Sequence, residues 1–413
     1  MTTVTEGQHR RDPAAATAPS PSGAPPPRPG SGRRRRLLGR VWLVLVVVEL
    51  VFLGTVGTSV ASALTAPGTQ STTARVAEWA RNNGMSPLVT WAEQLMYQPP
   101  TVGGAPAANS PLRQLGPPPA PPAGPTLTAG PTLPAAINTP AQPSLPGEGQ
   151  WKVTATVHGS PAMAQTFLRP DATHTSYTAA ATWFDPHLVR AQLHPGASQP
   201  GGTGWKVPSF IPPSDRAGLL AAFNSGFKLA DARGGFYEGR RYAKPLVAGA
   251  ASMVFYTDGT MTVGQWGRGV TMSPKVAAVR QNLTLLVDHA QVVPGINADT
   301  QQTWGSTIGS KKYVWRSGIG VTASGALVSV IGPRLSAHTL ASLLQRAGSV
   351  RAMQLDINPD WTSFINYHAT ADPAHPQAVN LLPAMKRSPK RYNTASARDF
   401  VTLHARGAAQ PRS

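Results

Sequence analysis

The sequence predicts an α+β domain with a largely antiparallel or mixed sheet and few helices, preceded by one N-terminal transmembrane helix and a Pro-rich linker. Between residues 150 and 385, many short runs alternate apolar and polar side chains, as half-buried strands do. Three of these runs carry a hairpin turn at the centre: Asp258-Gly259, Asp288-His289 and Ser324-Gly325. Many hairpins accompanied by one strong helix pattern are typical of an α+β fold.

The strand-like runs follow one another through the domain. They are WKVTATVH, TSYTAAATWF, LVRAQLH, LLAAF, ASMVFYTDGTMTVGQW, LTLLVDHAQVV, GIGVTASGALVSVIG and VRAMQLDI. The helix is predicted in LSAHTLASLLQRAGSV, because Ser336 can cap its start and Gly348 can end it. Its apolar face is formed by three leucines: Leu340, Leu343 and Leu344.

An apolar segment near the start of the chain predicts a membrane anchor. Residues 41–64 are apolar or small apart from Glu49, and a helix of that length crosses about 30 Å of hydrocarbon. Arginines precede the segment, so the positive-inside rule places residues 1–40, a basic tail, in the cytoplasm and the rest of the protein outside. The alternative is a cleaved signal peptide, since residues 61–63 resemble a cleavage site. Both interpretations put the bulk of the protein outside the cytoplasm.

Two further segments separate this helix from the domain. Residues 71–98 predict two short amphipathic stalk helices. Residues 99–149 predict a linker, because the stretch as far as Pro146 holds 15 prolines and a single charge, Arg113. A chain of that composition is an extended spacer.

The formal net charge of +19 is concentrated at the two ends of the chain. Residues 1–40 carry +6, and residues 386–413, predicted to be a second basic tail, carry another +6. These tails lack interleaved aromatic residues that would stack on bases. We therefore expect no nucleic-acid partner.

The residue types also exclude several kinds of site. The chain has no cysteine, which excludes thiolate catalysis and cysteine-ligated metals. Its histidines lack metal-ligand spacing. The stretch from Asp356 to Asp360 has the Asp-x-Asn-x-Asp start of an EF-hand, but the glycine and glutamate that such a loop requires are replaced by Trp361 and Tyr367. We therefore predict no metal and no cofactor.

Three stretches are similar, in order and spacing, to motifs of the phosphodiester glycosidase family: AAFNSGFK, RSGIGVTASGALVSVIG and LASLLQRAGSVRAMQLDI. The resemblance covers about residues 215–368 and implies an enzyme that acts on a sugar phosphodiester, with Asn224, Arg316 and Asp356 in the active cleft. Bacterial relatives are often associated with exopolysaccharide. The family's Gly-Gly-Gly-Ser after Leu-Asp is replaced here by INPDW. The close backbone approach that glycine permits is lost, so substrate or chemistry is expected to differ.

The replacement itself contains candidate catalytic residues. Glycosidic cleavage usually needs two carboxyl groups, which Asp356 and Asp360 are predicted to supply. Arg316 is predicted to stabilise the charge of the phosphate. Asn358 is a candidate to bind a sugar hydroxyl and Trp361 to stack on a sugar ring. The alternative is an ordinary structural turn, since Asp and Asn before Pro are common turn formers.

A second informative stretch is FNSGFKLADARGGFYEGRRYAKP. Its Gly-rich, basic loop predicts an anion-facing segment near the cleft, with Asn224 and Lys228 as substrate contacts and Glu238 as a further candidate carboxylate. The alternative is a solvated basic loop.

Together these features predict a membrane-anchored extracytoplasmic glycosidase that hydrolyses a sugar phosphodiester or a related cell-surface glycan. The alternative is a non-catalytic glycan-binding or scaffolding protein in surface polysaccharide assembly, which the altered Gly-Gly-Gly-Ser motif favours. The predicted partners are an anionic surface glycan and, through residues 41–64, the membrane.

Overall fold

The chain divides into two compact units, Met1–Ser59 and Val60–Ser413. The computed structural model describes residues 31–66, 71–95, 97–115, 133–296, 301–305 and 312–407. Helix α1 (Ser31–Thr65) contains a 26-residue stretch, Arg40–Thr65, that is long and apolar enough to cross a membrane. The predicted transmembrane segment is thus an apolar helix at the expected place. Its insertion, as an anchor or as a cleaved signal, stays a prediction.

The second unit contains the shorter helices and all the described strands. The helices are α2 (Thr72–Asn82), α3 (Ser86–Leu95), α4 (Pro111–Gln114), α5 (Gln301–Trp304) and α6 (Ala337–Arg346). The strands are β1 (Lys152–Val157), β2 (Ser160–Leu168), β3 (Ala179–Phe184), β4 (Val189–His194), β5 (Leu219–Asn224), β6 (Phe236–Glu238), β7 (Arg241–Lys244), β8 (Ala251–Tyr256), β9 (Met261–Gln265), β10 (Val276–Gln281), β11 (Leu285–Asp288), β12 (Gln291–Val292), β13 (Val314–Thr322), β14 (Leu327–Leu335), β15 (Ser349–Gln354), β16 (Phe364–His368), β17 (Gln377–Asn380) and β18 (Phe400–Ala405).

These strands form three sheets. The first has eight strands in the order β1-β2-β3-β14-β13-β15-β11-β12, the second five in the order β7-β6-β10-β8-β9, and the third five in the order β17-β16-β5-β18-β4. Neighbouring strands pair antiparallel throughout. The three predicted hairpins are confirmed as the turns of β8–β9, β11–β12 and β13–β14. The predicted α+β class with antiparallel sheets is therefore confirmed.

The largest core lies where the inner faces of the three sheets meet. Ile319 from the first sheet, Met253 from the second and Phe223 from the third all belong to it and are almost completely buried. A second core lies between the outer face of the first sheet and α6, as the apolar leucine face of that helix predicts. The hydroxyl of Ser336 caps α6 by accepting the amide proton of Thr339 at 3.0 Å.

The end of the domain differs from the sequence prediction. The sequence predicts a basic tail over residues 386–413, but β18 lies between β5 and β4 in the third sheet. Its side chains Phe400, Val401 and Leu403 are fully buried. The domain therefore continues past 385 as far as residue 407, because the apolar pairing of β18 outweighs the basic composition around it.

Helices α2 and α3 lie within residues 71–98, and their role as a stalk stays a prediction. Part of the predicted linker packs on the domain as well, since Leu112 and Ile137 are buried. Glu148, in the same segment, forms a buried ion pair with Arg169 at 2.7 Å. In its described portions, the Pro-rich segment thus covers the first sheet rather than only spacing it from α3.

Candidate functional site

The ends of several strands converge where the three sheets meet. The side chain of Asn224, at the end of β5, donates to Ser317 Oγ of β13 at 3.0 Å and accepts the amide proton of Ser363 at 2.9 Å. The amide of Ser317 in turn donates to the carbonyl of Asp356 at 2.9 Å. Asn224 and Ser317 therefore link the first and third sheets beside Asp356.

Asp356 lies two residues after β15, and only 3% of its surface is exposed. Its Oδ1 accepts the amide protons of Ile357 at 2.7 Å and Asn358 at 2.9 Å. Its Oδ2 lies 3.7 Å from Nη2 of Arg398. Burial raises the pKa of the Asp356 carboxyl, and the charge of Arg398 opposes that rise. One oxygen is thus held by the turn and the other faces a cation.

Arg398 is 8% exposed, and its guanidinium lies 4.8 Å from the ring centre of Trp361. Its Nε and Nη1 are buried without a hydrogen-bond partner among the described residues, as are Asp399 Oδ1 and Ser225 Oγ. Buried polar groups in proteins are nearly always paired, since each one left unpaired costs about 1–3 kcal/mol. This group of donors and acceptors is therefore suited to binding a polar, anionic ligand next to Asp356.

A second arginine–aspartate pair adjoins the first. Arg280, on β10, pairs with Asp399 immediately before β18, and both side chains are almost completely buried. The other two guanidinium nitrogens of Arg280 donate to the carbonyls of Gln281 and Phe227. Gly226 packs against this group, because a Cβ there would lie 3.0 Å from the guanidinium. The pair joins the second and third sheets at the floor of the site.

The turn after Asp356 holds two of the other predicted residues in place. Asn358 Oδ1 accepts the amide proton of Asp360 at 2.9 Å, and the Asn358 carbonyl accepts that of Trp361 at 2.9 Å. The Asp360 carboxylate is half-buried and acts electrostatically on Arg387. Asp356 therefore lies in the junction of the sheets, whereas Asp360 faces the basic segment that precedes β18.

Arg316 lies on the opposite face of β13 from Ser317, as strand alternation requires. Its buried guanidinium donates to the carbonyl of Leu335 at 2.9 Å and to Oε1 of Gln354 at 2.6 Å. These contacts tie β13 to its neighbours β14 and β15. In the described contacts, Arg398 is the cation that faces Asp356.

Two predicted residues lie in other surroundings. Lys228 forms an ion pair with Glu78 of α2 at 2.8 Å. Glu238, on β6, accepts the amide proton of Lys206 at 3.2 Å, and burial raises the pKa of its carboxyl. Glu238 lines a cavity of about 210 Å³ between β4, β8 and β10, whose lining includes Arg190 but not Asp356. The structure therefore brings together Asn224 and Asp356, and it does not place Glu238 with them.

Sequence reasoning missed Arg280, Arg398, Asp399 and Ser317. Their one local signal is that each lies within or up to two residues before a largely buried strand, where a charged or polar residue is unusual. Among the described residues, no group of three or more His, Asp or Glu side chains is placed to hold a metal ion.

No protein-family model matches the chain, and no curated protein matches it. Solved structures match it at low identity. The catalytic domain of zebrafish N-acetylglucosamine-1-phosphodiester alpha-N-acetylglucosaminidase is 14% identical, with a TM-score of 0.39, over 62% of this chain and 87% of that chain. A hypothetical protein from Synechocystis is 12% identical, with a TM-score of 0.34, over 61% and 64% of the two chains. Membership of the phosphodiester glycosidase family stays a prediction, and the site is interpreted from its own residues.

Proposed function

We propose that the protein is a membrane-anchored, extracytoplasmic glycosidase that hydrolyses a sugar phosphodiester or a related cell-surface glycan. The observation that carries this proposal is the pairing of a buried carboxylate, Asp356, with an arginine, Arg398, whose Nε and Nη1 lack partners among the described side chains. A cation with open donors binds a phosphate, and the carboxylate beside it acts on the bond to the sugar. The sequence motifs around Asn224 and Asp356 support the same assignment.

In the proposed reaction, Asp356 is the general base. Its Oδ2 takes a proton from a water molecule as the water oxygen attacks the anomeric carbon. The bond between that carbon and the phosphate oxygen breaks, and the electron pair leaves with the phosphate. Arg398 stabilises the charge on the departing phosphate, which therefore needs little help from a general acid.

The surroundings of Asp356 suit a base better than an acid. A general base works best when its pKa is close to the working pH, and burial moves the pKa of Asp356 upward from its ordinary value. The two amide protons on Oδ1 leave Oδ2 as the oxygen that can accept a proton. Asn224 and Ser317 act as positioning residues, because they hold β5, β13 and the segment after β15 together.

The second candidate function is glycan binding without turnover. It is favoured by the turn itself, since Asp356 and Asn358 both accept backbone amide protons as ordinary turn residues do. In this alternative, Arg398 holds an anionic glycan and Asp356 only shapes the turn.

Asp356→Asn separates the two functions. Asparagine keeps an oxygen that accepts both amide protons but has no basic oxygen, so we expect release of free sugar to fall about 10²–10⁴-fold with the fold intact. The assay is sugar release from a panel of sugar-1-phosphodiesters, with thermal melting in parallel. Asp258→Asn is the matched control, because Asp258 also accepts an amide proton two residues on but lies in the β8–β9 turn.

Two outcomes would contradict the assignment. If Asp356→Asn releases sugar at the rate of the parent, Asp356 is not the base. If the parent binds members of the panel and cleaves none of them, glycan binding is the function.

A further inference from the structure

A cluster of arginines surrounds Trp361, five residues after Asp356. The guanidinium carbons of Arg398, Arg387 and Arg391 lie 4.8, 5.1 and 5.6 Å from the centre of its rings. Trp361 is 6% exposed and Arg391 is 3% exposed. These cations are therefore held close together on one aromatic platform at the edge of the proposed site.

The cluster carries more positive than negative charge. Among the described side chains, Asp356 faces Arg398 at 3.7 Å and the Asp360 carboxylate acts on Arg387. Arg391 donates instead to a neutral group, the carbonyl of Asp360, at 3.4 Å. Three guanidinium groups thus share two carboxylates among the described side chains.

The excess charge is costly to the free protein. Burial, together with the repulsion from Arg391, lowers the pKa of Arg387 to about 9. Cation–π contact with Trp361 offsets part of that cost. A bound anion would offset more of it, because arginine forks form paired hydrogen bonds with phosphate oxygens.

We propose that Arg387 and Arg391, stacked on Trp361, form a second anion subsite, so that the substrate is a glycan with at least two phosphodiester groups. The inference rests on the proposed function, in which the Arg398 subsite holds the phosphate that is cleaved off. The neighbouring subsite then holds the next phosphate of the same chain. A polymer of repeated phosphodiesters is the substrate class that fills both.

The segment before β18 also contains lysines that do not stack on Trp361, and these can be compared with the arginines. Lys386 and Lys390 flank Arg387 and are exposed. If general surface charge attracted the glycan, these lysines would contribute as much as the arginines. A built subsite depends on the arginines that lie on Trp361.

The test measures binding by calorimetry with the full-length protein in detergent. The probes are a glycerol-phosphate oligomer of several repeats and the corresponding single phosphodiester. We expect the parent to prefer the oligomer, and we expect Arg387→Gln/Arg391→Gln to reduce that preference about 10–100-fold. Lys386→Gln/Lys390→Gln is the matched control and should keep the preference of the parent.

The charge-conserving variant Arg387→Lys/Arg391→Lys distinguishes a loss of anion binding from a loss of the fold. It should melt like the parent and lose part of the preference, since lysine keeps the charge but lacks the planar fork. Equal affinity of the parent for the oligomer and the single phosphodiester would overturn the subsite. Hyaluronan is a glycan whose negative charges are carboxylates. If a hyaluronan oligomer binds through these arginines as tightly as the glycerol-phosphate oligomer does, the subsite is not specific for phosphate.

Failure of the subsite proposal and failure of the proposed hydrolase activity give different results in these measurements. A parent that prefers the oligomer through these arginines but cleaves no phosphodiester keeps the subsite and refutes the hydrolase. A parent that cleaves single phosphodiesters without preferring the oligomer keeps the hydrolase and refutes the subsite.

Discussion

Two arginine–aspartate pairs lie side by side in this protein, and they differ in how completely they are hydrogen-bonded. In the first, Arg280 donates from Nε to Asp399 and from its other nitrogens to two backbone carbonyls. In the second, Arg398 reaches Asp356 only at 3.7 Å, and its Nε and Nη1 have no partner among the described residues. Each guanidinium nitrogen is thus bonded in the first pair, whereas two of the three are open in the second.

The difference separates a structural pair from a functional one. A buried ion pair in which each guanidinium nitrogen is bonded fixes the elements that carry it, here β10 and the residue before β18. An arginine kept buried with open donors destabilises the free protein and is expected to be paired in a complex. Arg280 is therefore suited to stabilising the fold and Arg398, under the proposed function, to binding the ligand, and each role can be tested separately.

The largest expected effect is on stability, in Arg280→Met. Removing one partner of a buried ion pair typically costs about 3–5 kcal/mol, because it leaves the other charge buried alone. We expect urea unfolding to show a loss of that size. Arg398→Met should lose no more than about 1 kcal/mol, because the lost cation–π contact with Trp361 is offset by removing donors that are buried without partners among the described residues.

The double variant Arg280→Met/Asp399→Leu is the control for this prediction. Replacing both members of a buried pair by apolar residues is often neutral, so the double variant should be more stable than Arg280→Met alone. If Arg280→Met and Arg398→Met lose equal stability, the two pairs do not differ in how much they stabilise the fold.

The next effect is on activity, in Arg398→Gln. Losing a preorganised donor to a developing negative charge costs about 10²–10³-fold in turnover. Since the charge of Arg398 lowers the pKa of Asp356, its removal should also shift the acid limb of the pH–rate profile to higher pH. The measurement is sugar release as a function of pH. An unchanged limb with reduced turnover would mean that Arg398 does not act on Asp356.

The smallest effect is the pH dependence of stability. The pKa of Asp356 is raised on folding above its ordinary value of 3.8. Such a carboxyl contributes its full stability below the unfolded pKa and loses that contribution as the pH rises through the raised pKa. We therefore expect the parent to lose stability relative to Asp356→Asn as the pH rises above about 4.

Asp258 is the control, because its contribution to stability should change with pH in the opposite direction to that of Asp356. Hydrogen bonds from Thr260 lower the pKa of Asp258, so its contribution is present at higher pH and is lost as the pH falls. In urea unfolding over a pH series, the parent should therefore gain stability relative to Asp258→Asn as the pH rises. A parallel trend in the two variants would contradict the raised pKa of Asp356.

The fold could be predicted wherever its signals are local. The turns of three hairpins and the leucine face of α6 follow from spacing within a few residues, and the structure has each of them. The prediction of a tail from residue 386 is wrong because it rests on the basic composition of this segment. The structure of the segment depends instead on the pairing of β18 with β4 and β5, which are far away in sequence. Contacts between distant strands leave no local pattern.

The same reasoning explains the candidate site. Asn224 and Asp356 could be identified because each follows a recognisable strand and lies in a family-like motif. Arg398 and Arg280 could not, because only the assembly of three sheets brings them to Asp356 and Asp399. For Arg316, the face of β13 on which it lies decides its contacts, and its guanidinium ties three adjacent strands.

The position of β18 also determines when the third sheet can be completed during synthesis. β4 and β5 are made early, yet β4 is joined to the third sheet through β18, the last strand of the described chain. Pairing over so long a separation is slow and leaves earlier strands exposed until their partner arrives. Arg398 and Asp399 arrive with that strand, so the third sheet and the candidate site are completed by the same few residues. A copy interrupted before Arg398 would lack the strand that joins β4 to the third sheet and, under the proposed function, the arginine that binds the anion.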